Sequence, residues 1–282
     1  MFFNSGTAAN AAITNNGSIS FLGSSSTGSS TIINSGFGSL ISFSDTSTAN
    51  NATITTNGGA LTQFTSNSNG GNARFITNAG GTVDFSGTSG PAGNGRITAG
   101  SIEGAGTYSI GSNELTVGSN DLSTTLSGSI QDGGAGGSLV KEGSGTLTLT
   151  GSSNIGGTLT VCSGCGSGGL TISGGSFTVG SFVEIDGGTL AVTNGGTLQT
   201  TDILVAGNMI VTGAGSTVTA SGVTVVGVFG HPPSSSAGAC GARAMALATA
   251  RPAISRRWAA TILPRARPAA RPGSTTISRA TA

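Results

Sequence analysis

Few residues in this chain have the type and spacing to do chemistry. Cys162 and Cys165 frame a Cys-Ser-Gly-Cys stretch. As a redox motif it would have to open a helix in a βαβ unit. Here it follows the strand-like TLTV and precedes the strand-like LTI. As a zinc site it lacks two ligands, and the remaining candidates, His231 and Cys240, stand far along the chain. The plainer expectation is an incidental loop pair, or a local disulfide between Cys162 and Cys165 in an oxidising compartment.

Glu184 and Asp186 are the second candidate. They stand two apart in FVEID, so on a strand both point to one side with Cβ atoms about 6.5–7 Å apart. That is near the carboxylate separation used in inverting glycoside hydrolysis. The sequence places no Arg, His or aromatic platform beside them, and a solvated strand face explains them as well.

Other motifs are weaker. Gly164 to Gly169 matches GxGxxG, but a strand-like segment follows where a dinucleotide site needs a helix. GGAGGSLVK (133–141) has Ser138 where a calcium-binding β-roll nonapeptide needs Asp. The alternating Thr146, Thr148 and Thr150 could meet a repeating surface, yet such rows do not recur at fixed spacing in the sequence. No GxSxG or GxxxxGK[ST] motif occurs. The expectation is therefore no catalytic set, no cofactor and no metal.

The elements that would position these residues are short strands. Gly accounts for 51 of the 282 residues, and charged residues for 7%. Helix formers are scarce, and glycines leave no room for a helix of ordinary length. Phe21, Phe43, Phe64 and Phe85 recur at spacings of 22, 21 and 21. Short motifs precede them: ITNNG (13–17), IINSG (32–36), ITTNG (54–58) and ITNAG (76–80), with ITAG (97–100) as a degenerate fifth. A period near 21 with two or three short strands predicts coils of a parallel β-solenoid. Eleven coils at the usual strand separation would make a rod on the order of 50 Å long.

From 139 to about 228 the pattern becomes Gly-Gly followed by an apolar–polar–apolar triplet, as in GGTLTV (156–161), GGLTI (168–172) and GGTLAV (187–192). It predicts an inward ladder of Leu147 and Leu149, Leu159 and Val161, and Leu170 and Ile172. The threonines of these strands would face water, and Lys141 and Glu142 would sit in water at a strand end before a glycine corner.

The stretch GGAGGSLVKEGSGTLTLTGSSNIGGTLTV (133–161) resembles the passenger-associated transport repeat of bacterial autotransporters, also called the autotransporter-associated β-strand repeat. AGSIEGAGTYSIGSNELTVGSNDLSTTLSGSI (99–130) and GAGSTVTASGVTVVG (213–227) resemble neighbouring passenger coils. The resemblance covers roughly residues 1–230. Asn154-Ile155 departs from the family's Asn-Thr-Tyr in the loop after Ser153, and Cys162 and Cys165 depart from its cysteine-poor habit. The resemblance implies a right-handed parallel β-helix, a signal peptide, export through an outer-membrane barrel and exposure on the bacterial surface. The start MFFNSGTAAN has no basic n-region or apolar h-region, and no barrel is read after the coils, so the chain is expected to be a fragment or a truncated reading frame.

The division expected is 1–110, solenoid coils of about 21 residues; 111–229, solenoid containing the resemblance at 133–161; and 230–282, an Arg-, Ala- and Pro-rich tail. Residues 1–230 carry a formal −7 and the tail +8. A basic linker, a nucleic-acid-binding arm and a frameshift product all fit the tail; in each it would be disordered, and a nucleic-acid partner is not expected because nothing there forms a reading element. The function expected is a surface-exposed stalk or adhesin-like rod whose repeat aids folding during secretion, with no enzymatic activity. Its partners would be the barrel translocator and a host-cell or glycan ligand. A polysaccharide-degrading β-helix enzyme is the alternative.

Overall fold

The computed structural model describes residues 1–161, 168–226 and 245–246 and shows an all-β chain wound into a parallel β-solenoid of about ten coils. Three walls run along the stack. The first is a ten-stranded sheet from Ala12–Asn15 to Asn208–Val211, and the second a ten-stranded sheet from Ser18–Phe21 to Thr217–Ala220. The third is an eight-stranded sheet that begins at Arg96–Ala99. Within each wall every strand pairs in parallel with its counterpart one coil away; the exception is Met245–Ala246, antiparallel to Thr224–Val226. At ordinary strand separation ten rungs span about 45 Å.

Alternation builds each strand. In Thr146–Leu149 the burial pattern is polar positions half-exposed and leucines inside, and Leu40–Phe43 and Thr53–Thr56 repeat it. Leu147, Leu149, Leu159, Val161, Leu170 and Ile172 are all 2% exposed or less. They form one core with the phenylalanines.

The phenylalanine column is a continuous stack. Ring centroids lie 4.6 Å apart for Phe2 and Phe21, 4.9 Å for Phe21 and Phe43, 4.5 Å for Phe43 and Phe64, and 4.6 Å for Phe64 and Phe85. These distances match the strand separation, because in-register parallel pairing sets identical side chains one rung apart. Phe75 packs edge-on against Phe64 and Phe85.

Before Arg96 the third wall is only a column of single bridges, Thr7 to Ser26 to Thr48 to Asn69. Small buried residues stand beside it: Ala8, Ser25, Thr27, Ser47, Ala49 and Ser68. The phenyl rings fill the interior, so the facing wall has room only for small side chains. From residue 96 on, the third wall carries Ile97, Leu115, Leu139, Leu159, Val183 and Ile203 inward, and the second wall faces them with Tyr108, Ile130, Ile155, Phe177 and Leu198 in place of a continuous ring column. Asn69 joins the two regimes. Its side-chain carbonyl accepts from the Thr98 N–H at 2.7 Å, and its amide donates to Thr98 Oγ1 at 2.8 Å, so a side chain continues the ladder where the backbone has looped out.

Turns stack as regularly as strands. Asn4, Asp45 and Ser66 share positive φ with Gly23, and Ala9 and Asn50 share it with Gly28 and Gly71, each group one coil apart. Left-handed backbone costs a non-glycine residue about 1–2 kcal/mol, which the neighbouring coils must offset.

Three expectations are corrected by the register. The fourth motif, ITNAG, is one residue out of step: Ile54 pairs with Phe75, so Phe75 points inward and Ile76 outward. The ITAG copy at 97–100 belongs to the third wall, and Ile102 takes the place on the first wall. Asn154-Ile155 is strand, not loop: Ser152–Ile155 pairs along its length with Ser176–Val179.

Candidate functional site

The sequence-nominated positions end up in different places. Cys162 and Cys165 lie outside the described residues, as do His231 and Cys240. Glu184 stands on the outer face of the third wall, in register with Thr160 on one side and Leu204 on the other. Asp186 follows the end of that strand, its N–H donating to the Val161 carbonyl. Neither neighbour in register with Glu184 offers an acid, a base or a cation. Among the described residues no three His, Cys, Asp or Glu side chains gather as a metal set, and no helix is long and apolar enough to cross a membrane.

Lys141 is the largest departure from expectation. It does not sit in water: it is buried, 2% exposed, on the inward side of Ser138–Lys141. Its Nζ donates to the carbonyls of Glu142 at 2.5 Å and Gly145 at 2.7 Å. Burial pushes its pKa below the ordinary lysine value, and the negative charges of Glu142 and Asp121 offset this only in part. The position opposite must be glycine. Gly118 has φ +121°, and a Cβ there would overlap the Glu142 carbonyl and crowd the ammonium. A cavity of about 10 Å³ lies beside it, lined by Ser101, Thr124, Val117 and Leu147 among others, room for about one water molecule. The ammonium thus staples the corner that follows its own strand, satisfying carbonyls that glycines leave without partners.

A second polar anchor occupies the GGAGG loop. Asp132 is 4% exposed. Its carboxylate accepts from the N–H groups of Gly134 (2.9 Å), Gly136 (2.9 Å), Gly137 (3.0 Å) and, one coil on, Gly156 (2.7 Å). Burial raises its pKa, but the four amide donors outweigh burial and hold it below the ordinary carboxylate value. The loop therefore turns N–H groups toward an anion, the reverse of the carbonyl cage that calcium needs.

A long regular surface is the outer face of the second wall. One column reads Thr107, Ser129, Ser152, Ser176, Thr197 and Thr217 over six rungs, and its neighbour Ser109, Gln131, Asn154, Thr178, Gln199 and Thr219. Within it Ser176 Oγ donates to Ser152 Oγ at 3.0 Å, and in the earlier coils Ser42 Oγ donates to Ser20 Oγ at 3.0 Å. The sequence hides these columns because unequal turns separate the strands. Toward the N-terminus the first column changes to Leu61 and Leu40, and Phe37, 98% exposed, stands three residues before Leu40 with its ring against Gly59. The charged outer pairs lie elsewhere: Arg74 with Glu103 at 2.5 Å on the first wall, and Arg96 with Glu114 at 3.2 Å on the third. The class this geometry defines is a parallel β-solenoid with a continuous apolar interior and one long polar face, free of charge from Thr107 to Thr219. No family model, curated protein or solved structure matches the chain.

Proposed function

We propose that the chain is a section of an autotransporter passenger that acts as a stalk on the bacterial surface, with adhesin-like contacts made by its outer faces. The observation that carries this reading is the continuous stack: two walls and the core run from the first coil to the last, the third wall joins them as a sheet from Arg96, and Lys141 and Asp132 pin consecutive corners of residues 133–161. That stretch is the one whose sequence resembles the transport repeat, and its anchored corners make each finished coil a rigid template for the next. Such templating favours folding that advances in one direction, as export through a barrel requires. The outer-membrane barrel would be the partner in export. This reading assigns the chain structural work; Glu184, the residue on which a glycoside-cleaving alternative would depend, stands in register between Thr160 and Leu204.

The test is a fusion of residues 1–226 between a secretion signal and an autotransporter barrel in a Gram-negative host. The expected result is a protease-resistant fragment displayed outside the cell. Retention of the folded rod in the periplasm, while a control passenger is displayed, would overturn the reading.

A further inference from the structure

We propose that the outer face of the second wall docks a neutral polysaccharide chain lying along the stack, which deepens and rests on the adhesin-like reading above. Three observations carry it. First, charge: from Thr107 to Thr219 neither column has an ionisable side chain; the nearest is Asp84, one rung beyond Ser109, and the outward ion pairs lie on the other two walls. A face without charge discriminates against polyanions and polycations and suits a ligand without charge.

Second, the repeat: hydroxyls and amides recur at every rung, about 4.8 Å apart along the stack and roughly 7 Å apart across it. A sugar ring is about as long as one rung, so successive rings of a linear chain meet successive rows of donors and acceptors. Hydroxyls and side-chain amides both donate and accept, which matches the mixed rim of a hexose.

Third, the apolar step at the N-terminal end of the first column. Phe37, at 98% exposed, is flanked along the chain by Leu40, with Leu61 one coil on. A sugar presents a C–H face as well as a hydroxyl rim, and an exposed aromatic ring covers that face. Phe37 lies in the turn that leads into the strand Leu40–Phe43, so its ring borders the same sheet, and a chain laid along the first column would pass from Thr107 over Thr82 to Leu61 and the ring, with Asp84 beside it in the second column. A peptide strand is the poorer occupant, because this face offers side chains and no free backbone edge.

The test uses the purified full chain in solution, so that its outcome is independent of export. Retention is measured on cellulose, chitin and amylose, with heparin as the polyanion control, at low and high salt. The expected result is retention on at least one neutral polymer that persists at high salt, because no counterion release is involved. Phe37→Ala and Ser152→Lys should each weaken that retention about tenfold. Thr160→Lys, on the outer face of the third wall, should leave it unchanged. Circular dichroism verifies that each variant folds. No retention on any of the three neutral polymers overturns the proposal, and so does equal loss from Ser152→Lys and Thr160→Lys. Retention abolished by salt would assign the binding to charge and overturn it too.

Discussion

Residues 1–88 and residues 96–226 fill the same three-sided interior by opposite means. The first region stacks phenyl rings from the second wall and faces them across the third wall with serine, threonine and alanine; the second shares the volume mostly among leucine, isoleucine and valine from all three walls, with Tyr108 and Phe177 as isolated rings. The ring solution leaves the third wall too small and polar to form continuous strands, so it survives as single bridges. It also leaves Ser25, Ser30 and Ser47 with buried hydroxyls that lack a partner. The aliphatic solution completes the third sheet, and its buried polar side chains, Lys141, Asp132, Asn113 and Ser153 among them, are supplied with hydrogen bonds. Wall continuity follows from how side-chain volume is distributed between walls.

The largest effect should come from Leu147→Asp. An unpaired charge in the aliphatic interior should destabilise that region by at least about 4 kcal/mol. Limited proteolysis should then cut near residue 147 while the phenylalanine coils stay resistant; unchanged resistance would contradict the inward ladder. Because a stacked array need not unfold in one step, hydrogen exchange read coil by coil is the better measure for the remaining variants.

Phe43→Ala should cost about 3–5 kcal/mol, as large cavities do. The sharper experiment is a double-mutant cycle. If ring and third wall compensate, adding Ala49→Val to Phe43→Leu should recover about 1 kcal/mol, a favourable coupling. Strict additivity would break the volume argument.

Asp132→Ala should cost about 3 kcal/mol, since it strands several buried amides. The pH dependence has a definite sign. The folded pKa lies below the unfolded one, so the stabilisation is present above the ordinary carboxylate range and is lost as pH falls through the folded value. The variant should lose that acid dependence around residues 132–156, and a variant with the parent's profile would refute the role of the carboxylate. The smallest effect should be a gain: Ser47→Ala removes an unpaired buried hydroxyl and should stabilise the third coil by about 1 kcal/mol. A loss there would mean that the hydroxyl has a partner.

Legibility in the sequence followed the same division. The ring column and the Gly-Gly triplets were readable because each repeats one marker at one spacing. The ITNAG register slipped because Ile76 mimics the motif while Phe75, off the expected residue type, takes the inward place. The N-terminal third wall was unreadable, since tracts such as SSSTGSS carry no apolar alternation and look like loop. Lys141 was misplaced because a lone lysine is ordinarily solvated, and nothing local shows that Gly118, one coil back, opens a slot for it. The polar columns on the second wall become visible only once strand register is known, because the spacing between their members varies from coil to coil.

The direction of the inter-strand bonds has a mechanical outcome. In all three walls they run parallel to the long axis, so tension applied at the two termini loads the outermost rung and leaves the others in reserve. The rod should yield by peeling, one turn after another. Each released turn of about 21 residues would pay out on the order of 70 Å of slack, against a loss of a single strand spacing from the folded length. A tether built this way lengthens under load, in steps, well before it parts.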